Sequence, residues 1–294
     1  MKILKRFIPF LALLTCYHCN ALATAIEVSD STGRKVQLKQ AAERIVALSP
    51  HSVENVFSAG AGAKLVGAVS YSDYPEAARN VPRVGSYQSW SIESIIAQQP
   101  DLVLMWGSGN SLESLPALER LGITVYISEL RTLQDIPRTL RAIGTLADTV
   151  EASERSAQEF EQTLASLKST YRRQHQLKVF YQVWNSPLQT LSGEHMISDV
   201  IALCGGQNLF FDAAQLAPRV SLESVLERNP DVIVASGMDA ARPEWLDEWR
   251  AYPSIEAVKN EALFFIHPDL LQRPTMRLLQ GAQQLCEQLA TLAQ

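Results

Sequence analysis

Charge is scarce in these 294 residues: Asp, Glu, Lys and Arg make up 19%, with 31 acids against 26 bases. A formal net charge of −5 leaves no electrostatic footprint for nucleic acid. The longest apolar run, Phe7 to Leu14, is too short to cross the ~30 Å hydrocarbon core of a bilayer. No G-x-S-x-G, H-E-x-x-H or Walker A motif is present, so no nucleophile–base pair is suggested and the chain reads as a binder rather than an enzyme. Gly60-Ala61-Gly62 starts a dinucleotide fingerprint, but Leu65 stands where the third glycine belongs, so it reads as a helix cap and turn. The 14 glycines and 14 prolines cluster into no linker, and 47% hydrophobic residues is ordinary for a globular chain. Disordered and collagenous classes are thereby excluded, and the length has room for about two domains.

Positive charge is concentrated where it has a purpose. Lys2, Lys5 and Arg6 precede the apolar run, and Ala21-Leu22-Ala23 follows it as a small-x-small cleavage site. This is the pattern of a secretory signal peptide over 1–23. Its removal leaves a chain three charges more negative and discards the Cys16-x-x-Cys19 pair. Bulky Thr15 disfavours a lipid anchor on Cys16. Of four cysteines, Cys204 and Cys286 remain. In an oxidising compartment an even pair favours a disulfide, with two buried free thiols as the alternative.

One stretch occurs twice. Ser91-Ile92-Glu93-Ser94 continues to Pro100-Asp101-Leu102-Val103, and 130 residues later Ser221-Leu222-Glu223-Ser224 continues to Pro230-Asp231-Val232-Ile233. Each copy reads as a Ser cap, a two-turn helix, a Pro-Asp stop and a buried strand. Further strands are expected at Ile45–Leu48, Leu65–Val69, Val125–Ile127, Val179–Val183 and Leu263–Ile266, with helices near Ser52–Ala59 and Ser198–Leu203. Ala157, Phe160, Leu164, Leu167 and Tyr171 recur at spacings of three and four, which predicts one long amphipathic helix. The expected fold is α/β: two similar lobes, residues 24–148 and 176–294, each a parallel-type sheet flanked by helices, joined by a helix over 149–175. Such a stiff connector predicts limited lobe motion.

Ligands of open α/β sheets bind beyond the carboxyl ends of the strands. Those places hold Tyr71, Tyr74, Tyr87, Trp90, Trp106 and Trp184, which together suggest a cleft for a large flat ligand. Asp269 and Arg273 follow the last strand as a candidate polar rim or a plain surface ion pair. A rival reading places zinc or manganese on His51, His195, His267 and Asp269. These residues lack local ligand spacing, and the aromatic lining would go unexplained, so no metal site is assigned.

Arg44-Ile45-Val46-Ala47-Leu48-Ser49-Pro50 with Glu54, Ser70-Tyr71-Ser72-Asp73-Tyr74-Pro75, Cys204-Gly205-Gly206 and Ala282-Gln283-Gln284-Leu285-Cys286 resemble the helical-backbone periplasmic substrate-binding proteins. These serve ABC importers of siderophores, haem and cobalamin, and the likeness runs over nearly the whole mature chain. It is strongest to the cobalamin (vitamin B12) branch. The resemblance implies a monomeric, periplasmic receptor without a cofactor, whose transported ligand is a corrinoid. It implies ligand contacts at Pro50, His51, Tyr71, Tyr87, Trp106, Asp269 and Arg273, and a Cys204–Cys286 disulfide. It also implies docking of Glu93 and Glu223 onto arginines of a permease dimer that works with ATPase subunits, so contact with the inner membrane is peripheral. Helix-dipole stabilisation is the plainer role for the two glutamates. Two departures stand out: Ala217 replaces a tryptophan of the family, and Leu270 replaces an aromatic. Trp184 is the residue proposed to fill the missing face. Haem, a siderophore or a metal ion is the alternative ligand.

Overall fold

The computed structural model describes residues 25–171, 176–237 and 241–292. The leader, its cleavage site, Cys16 and Cys19 lie outside the described residues. The first half contains β1 (Ile26–Ser29), β2 (Lys35–Leu38), β3 (Ile45–Ala47), α1 (Pro50–Ser58), β4 (Leu65–Ala68), α2 (Ile92–Ile96), β5 (Leu102–Trp106), α3 (Leu115–Arg120), β6 (Thr124–Ser128) and α4 (Asp135–Leu146). The connector α5 (Val150–Thr170) follows. The second half contains β7 (Leu177–Gln182), β8 (Trp184–Asn185), β9 (Leu188–Gln189), α6 (Met196–Leu203), β10 (Gly206–Asn208), α7 (Leu222–Arg228), β11 (Val232–Ala235), α8 (Glu256–Lys259), β12 (Leu263–Phe265), α9 (Pro268–Leu271) and α10 (Leu278–Ala290).

The two sheets are ordered β4-β3-β5-β6 and β10-β7-β11-β12, and every pairing within them is parallel. Parallel strands need helical crossovers, which cover both faces and explain the unbroken apolar runs. One apolar cluster holds Ile45, Leu104 and Val56 of the first lobe, Phe160 and Leu164 of α5, and Val232 and Leu285 of the second. The connector is therefore part of a shared core rather than a free linker. Arg141 of α4 clamps it further, with Nε 2.7 Å from Glu154 and Nη1 2.7 Å from Glu161.

The duplication holds in three dimensions. Ser91 Oγ accepts from Ser94 N at 3.0 Å and Ser221 Oγ accepts from Ser224 N at 3.2 Å, so each serine caps its helix. Asp101 accepts the backbone N–H of Arg44 at 3.1 Å, and Asp231 that of Lys178 at 2.7 Å. Each aspartate thus fastens the start of the neighbouring strand. The same two cations cap the repeat helices, Arg44 Nε donating to Gln98 O at 3.1 Å and Lys178 Nζ to Arg228 O at 3.0 Å.

Two helices begin earlier than their periodicity suggests. α1 starts at Pro50 because Ser49 accepts from Ser52 N at 3.2 Å and proline suits the first helical turn. α6 starts at Met196 because the His195 ring acts as the cap, accepting from Ile197 N at 3.2 Å. Cys204 and Cys286 form a disulfide that ties the end of α6 to α10.

Candidate functional site

The cleft lies between the carboxyl ends of the two sheets. On the first lobe, Asn110 organises its wall from an almost wholly buried position. Its Nδ2 donates to Leu48 O at 3.0 Å and Tyr87 O at 2.6 Å, and its Oδ1 accepts from Trp106 N at 2.6 Å. The ends of β3 and β5 and the Tyr87 loop are pinned by one amide. Gly109 completes the arrangement, since a Cβ there would stand 1.8 Å from the Trp106 ring. Trp106 then meets the His51 ring edge-on at 5.1 Å and the Tyr87 ring at 6.0 Å.

His51 is buried on the first turn of α1, and its Nε2 lies 3.1 Å from Ser49 Oγ. Burial, and then the positive charge of Arg273, push its pKa down to about 3, so the ring is neutral at ordinary pH. Pro50 is the first residue of the same helix. Deeper in, a cavity of about 70 Å³ is bounded by Trp106, Glu129 and Arg131 on one side and His195, Leu271 and Gln272 on the other. Glu129 pairs with Arg131 at 2.7 Å and accepts from Ser108 N at 2.7 Å. Burial and the nearby Arg131 lower His195 to about 4.

The polar rim proves to be a bridge between lobes. Arg273 pairs with Asp269 at 3.0 Å, and also with Glu54 at 2.9 Å and Asp73 at 3.3 Å on the opposite lobe. Arg277 pairs with Glu54 at 2.6 Å and covers the Tyr74 ring at 4.0 Å. Asn55 Nδ2 adds a bond to Pro274 O at 3.1 Å.

The six aromatics are divided by these contacts. Tyr87 and Trp106 share one wall, Tyr71 projects into solvent at 75% exposure, and Tyr74 lies beneath Arg277. Trp90 packs on the core of its own lobe. Trp184 is exposed on the β8–β9 hairpin, its indole N–H donating to Ser186 O at 2.9 Å. It pairs across the hairpin with Gln189, whose side chain donates to Ala217 O at 3.2 Å. Trp184 and Ala217 are therefore neighbours through a common partner. Glu93 and Glu223 are exposed at matching places at the tops of α2 and α7. Hydrogen bonds from its own N–H and from Ser221 hold Glu223 below the usual carboxylate range.

The three histidines of the metal reading stand apart in local roles. His195 and His267 each cap a helix, and His51 faces Ser49. Among the described residues no group of three or more His, Cys, Asp or Glu side chains converges. A hollow of about 1000 Å³ is bounded by α5, α6 and the 132–134 loop and contains none of the anticipated site residues. Asn110 and Arg277 carry much of the site's geometry without any motif of their own, whereas Glu54 belongs to the stretch after Arg44 that carries the family resemblance. Arg277 could have been sought as the charge at the head of the apolar helix α10, whereas Asn110 offers no local signal.

A family model described as Periplasmic binding protein matches residues 45–270. A Vitamin B12-binding protein of Vibrio campbellii is 36% identical over 253 residues, covering 86% of this chain and 91% of that protein. The crystal structure of the periplasmic vitamin B12 binding protein BtuF of Vibrio cholerae superposes with a TM-score of 0.78 at 36% identity, over 86% of this chain and 99% of that one. A periplasmic heme-binding protein, RhuT of Roseiflexus, shares the fold with a TM-score of 0.76 at 22% identity, over 86% and 99% of the two chains.

Proposed function

The chain belongs to the periplasmic binding protein family, and on that premise we propose that it captures a corrinoid of the vitamin B12 type between its lobes and delivers it to an ABC importer. The observation that carries this reading is the aromatic wall of Trp106 and Tyr87, two rings 6.0 Å apart and tilted by 42°, beside neutral His51 at the mouth of a cleft. The deep cavity is far smaller than a corrinoid, so the macrocycle sits at the open mouth, against Tyr71, Tyr87 and Trp106. Pro50 and His51 line the start of α1 there, Trp184 supplies the face absent at Ala217, and Asp269 and Arg273 meet polar substituents of the ring.

The remaining parts of the reading follow from transport. The protein works as a monomer in the periplasm after loss of residues 1–23, and it binds rather than transforms its ligand. Glu93 and Glu223, one on each lobe, dock onto arginines of a permease dimer whose ATPase subunits drive uptake, because charge-assisted pairs fix orientation as well as affinity.

The test is a titration of the mature protein with cyanocobalamin, haemin and zinc, followed by calorimetry and by the visible spectrum. Saturable one-to-one heat with cyanocobalamin is the expected result. Saturation by haemin or zinc alone would overturn the assignment, and conversion of the ligand would restore an enzymatic reading.

A further inference from the structure

Glu54 is 2% exposed, on the second turn of α1, and both of its carboxylate oxygens are committed to the opposite lobe. Oε1 accepts from Arg273 Nη1 at 2.9 Å and Arg277 Nη2 at 2.6 Å, while Oε2 accepts from Arg277 Nε at 2.9 Å. A buried carboxylate is tolerated only when paired and hydrogen-bonded in this way. The other arm of Arg273 reaches further, Nη2 donating to Tyr71 O at 3.1 Å. Tyr71 has φ +64°, an uncommon backbone state for a residue with a side chain. Its ring is 75% exposed, so packing does not hold that conformation. The grip on its carbonyl comes from a guanidinium that Glu54 fixes.

We propose that Glu54 is a positioning residue, acting across the lobe boundary through Arg273 to set the lobe angle and to present the Tyr71 ring at the cleft mouth. The inference rests on the corrinoid reading of the cleft and adds to it a residue that touches no ligand. It explains why one carboxylate binds two arginines: Arg277 anchors α10 to α1, leaving Arg273 free to span Glu54, Asp269 and the Tyr71 carbonyl at once. A plain structural ion pair would stabilise the fold without coupling to ligand affinity.

The experiment is a double-mutant cycle on cyanocobalamin affinity using Glu54→Gln, Arg273→Ala and both together, in parallel with cross-lobe distances between spin labels on Ala63→Cys and Gln207→Cys, which are both exposed. Loss of charge-assisted bonds predicts about tenfold weaker binding for Glu54→Gln and a broadened distance distribution. In the Arg273→Ala background the same change is expected to cost clearly less than in the wild type, because only the Arg277 contact is left for it to break. Additive losses, or unchanged affinity with an unchanged distance, would overturn the proposal. If Glu54→Gln does not fold, Arg273→Lys keeps the charge but loses the fork, and unchanged affinity in that variant would overturn it equally. Should the wild type bind no cyanocobalamin, the corrinoid reading falls. The distance measurement then decides alone: broadening in Glu54→Gln supports the positioning role, and no change refutes it.

Discussion

Set against each other at an offset of 130 residues, the two lobes agree in their framework and differ in their lining. Ser91 and Ser221, Glu93 and Glu223, and Asp101 and Asp231 hold the same positions and, for the serines and aspartates, make the same bonds. At the cleft, Tyr87 corresponds to Ala217 and Trp106 to Ser236. The first lobe offers rings; the second offers Arg273, Asp269 and a hairpin tryptophan. Framework residues are held alike because each lobe must satisfy the same strand and helix ends. Under the corrinoid proposal, a ligand with an apolar face and a polar fringe needs no such equality, and the two linings divide the work.

The covalent staple is the largest asymmetry, since Cys204–Cys286 lies wholly in the second lobe. Replacing both cysteines by serine is expected to cost ~4–5 kcal/mol in the chain-entropy account of an 82-residue separation. Urea unfolding with limited proteolysis checks this, and early cleavage should fall after residue 176 rather than in the first lobe. Equal loss of both lobes would show that the shared core through α5 dominates.

Acid tests the lobes through one histidine each. His51 titrates near 3 in the folded chain and His195 near 4, each against an ordinary value of about 6.5. Below pH 6.5 the unfolded chain holds the extra protons, so stability is full above that pH and falls as pH drops, by up to about 1.4 kcal/mol per unit for each ring. By pH 4 the His51 contribution alone approaches ~3 kcal/mol. Chemical denaturation from pH 7 to 4 should show this slope, with His51→Asn and His195→Asn each flattening part of it. A flat profile in the wild type would contradict the burial assigned to both.

The lining difference is tested by moving rings. Trp106→Ala or Tyr71→Ala should weaken cyanocobalamin binding about tenfold or more, since a stacked aromatic adds ~0.5–1.5 kcal/mol beyond its buried area. Ala217→Trp should strengthen it by several-fold, whereas Trp184→Ala should weaken it by a similar factor if the hairpin ring replaces the missing face. Isothermal titration of the four variants separates these outcomes. Indifference to all four would leave the aromatics as packing.

The framework likeness predicts the smallest effect on the protein itself. Glu93→Ala with Glu223→Ala should leave melting nearly unchanged, because a helix-dipole contact of a fully exposed carboxylate is weak and screened, and should leave ligand affinity intact. Docking to the reconstituted importer should nonetheless be lost, most clearly at low salt. Full docking would reduce both glutamates to helix-start residues.

Local order carries its own signature, and much of this molecule could be read from it. The repeated Ser-x-Glu-Ser start, the Pro-Asp stop, the apolar strands and the three–four stripe of α5 each depend on neighbours in sequence, so caps, periods and turn residues declare them. The parallel α/β class, the duplicated lobes and the helical joint follow from those signals. Helix starts at Pro50 and Met196 were less legible because a serine–proline pair and a histidine cap lie outside the apolar pattern. What only the tertiary structure decided is which distant groups meet: Asn110 clipping Leu48, Tyr87 and Trp106, and Glu54 holding Arg273 and Arg277 more than 200 residues away. The physical reason is that desolvation energetics, not spacing, selects such partners. A buried amide or carboxylate is costly to leave unpaired, and the groups that pair with it become neighbours only when the lobes have packed.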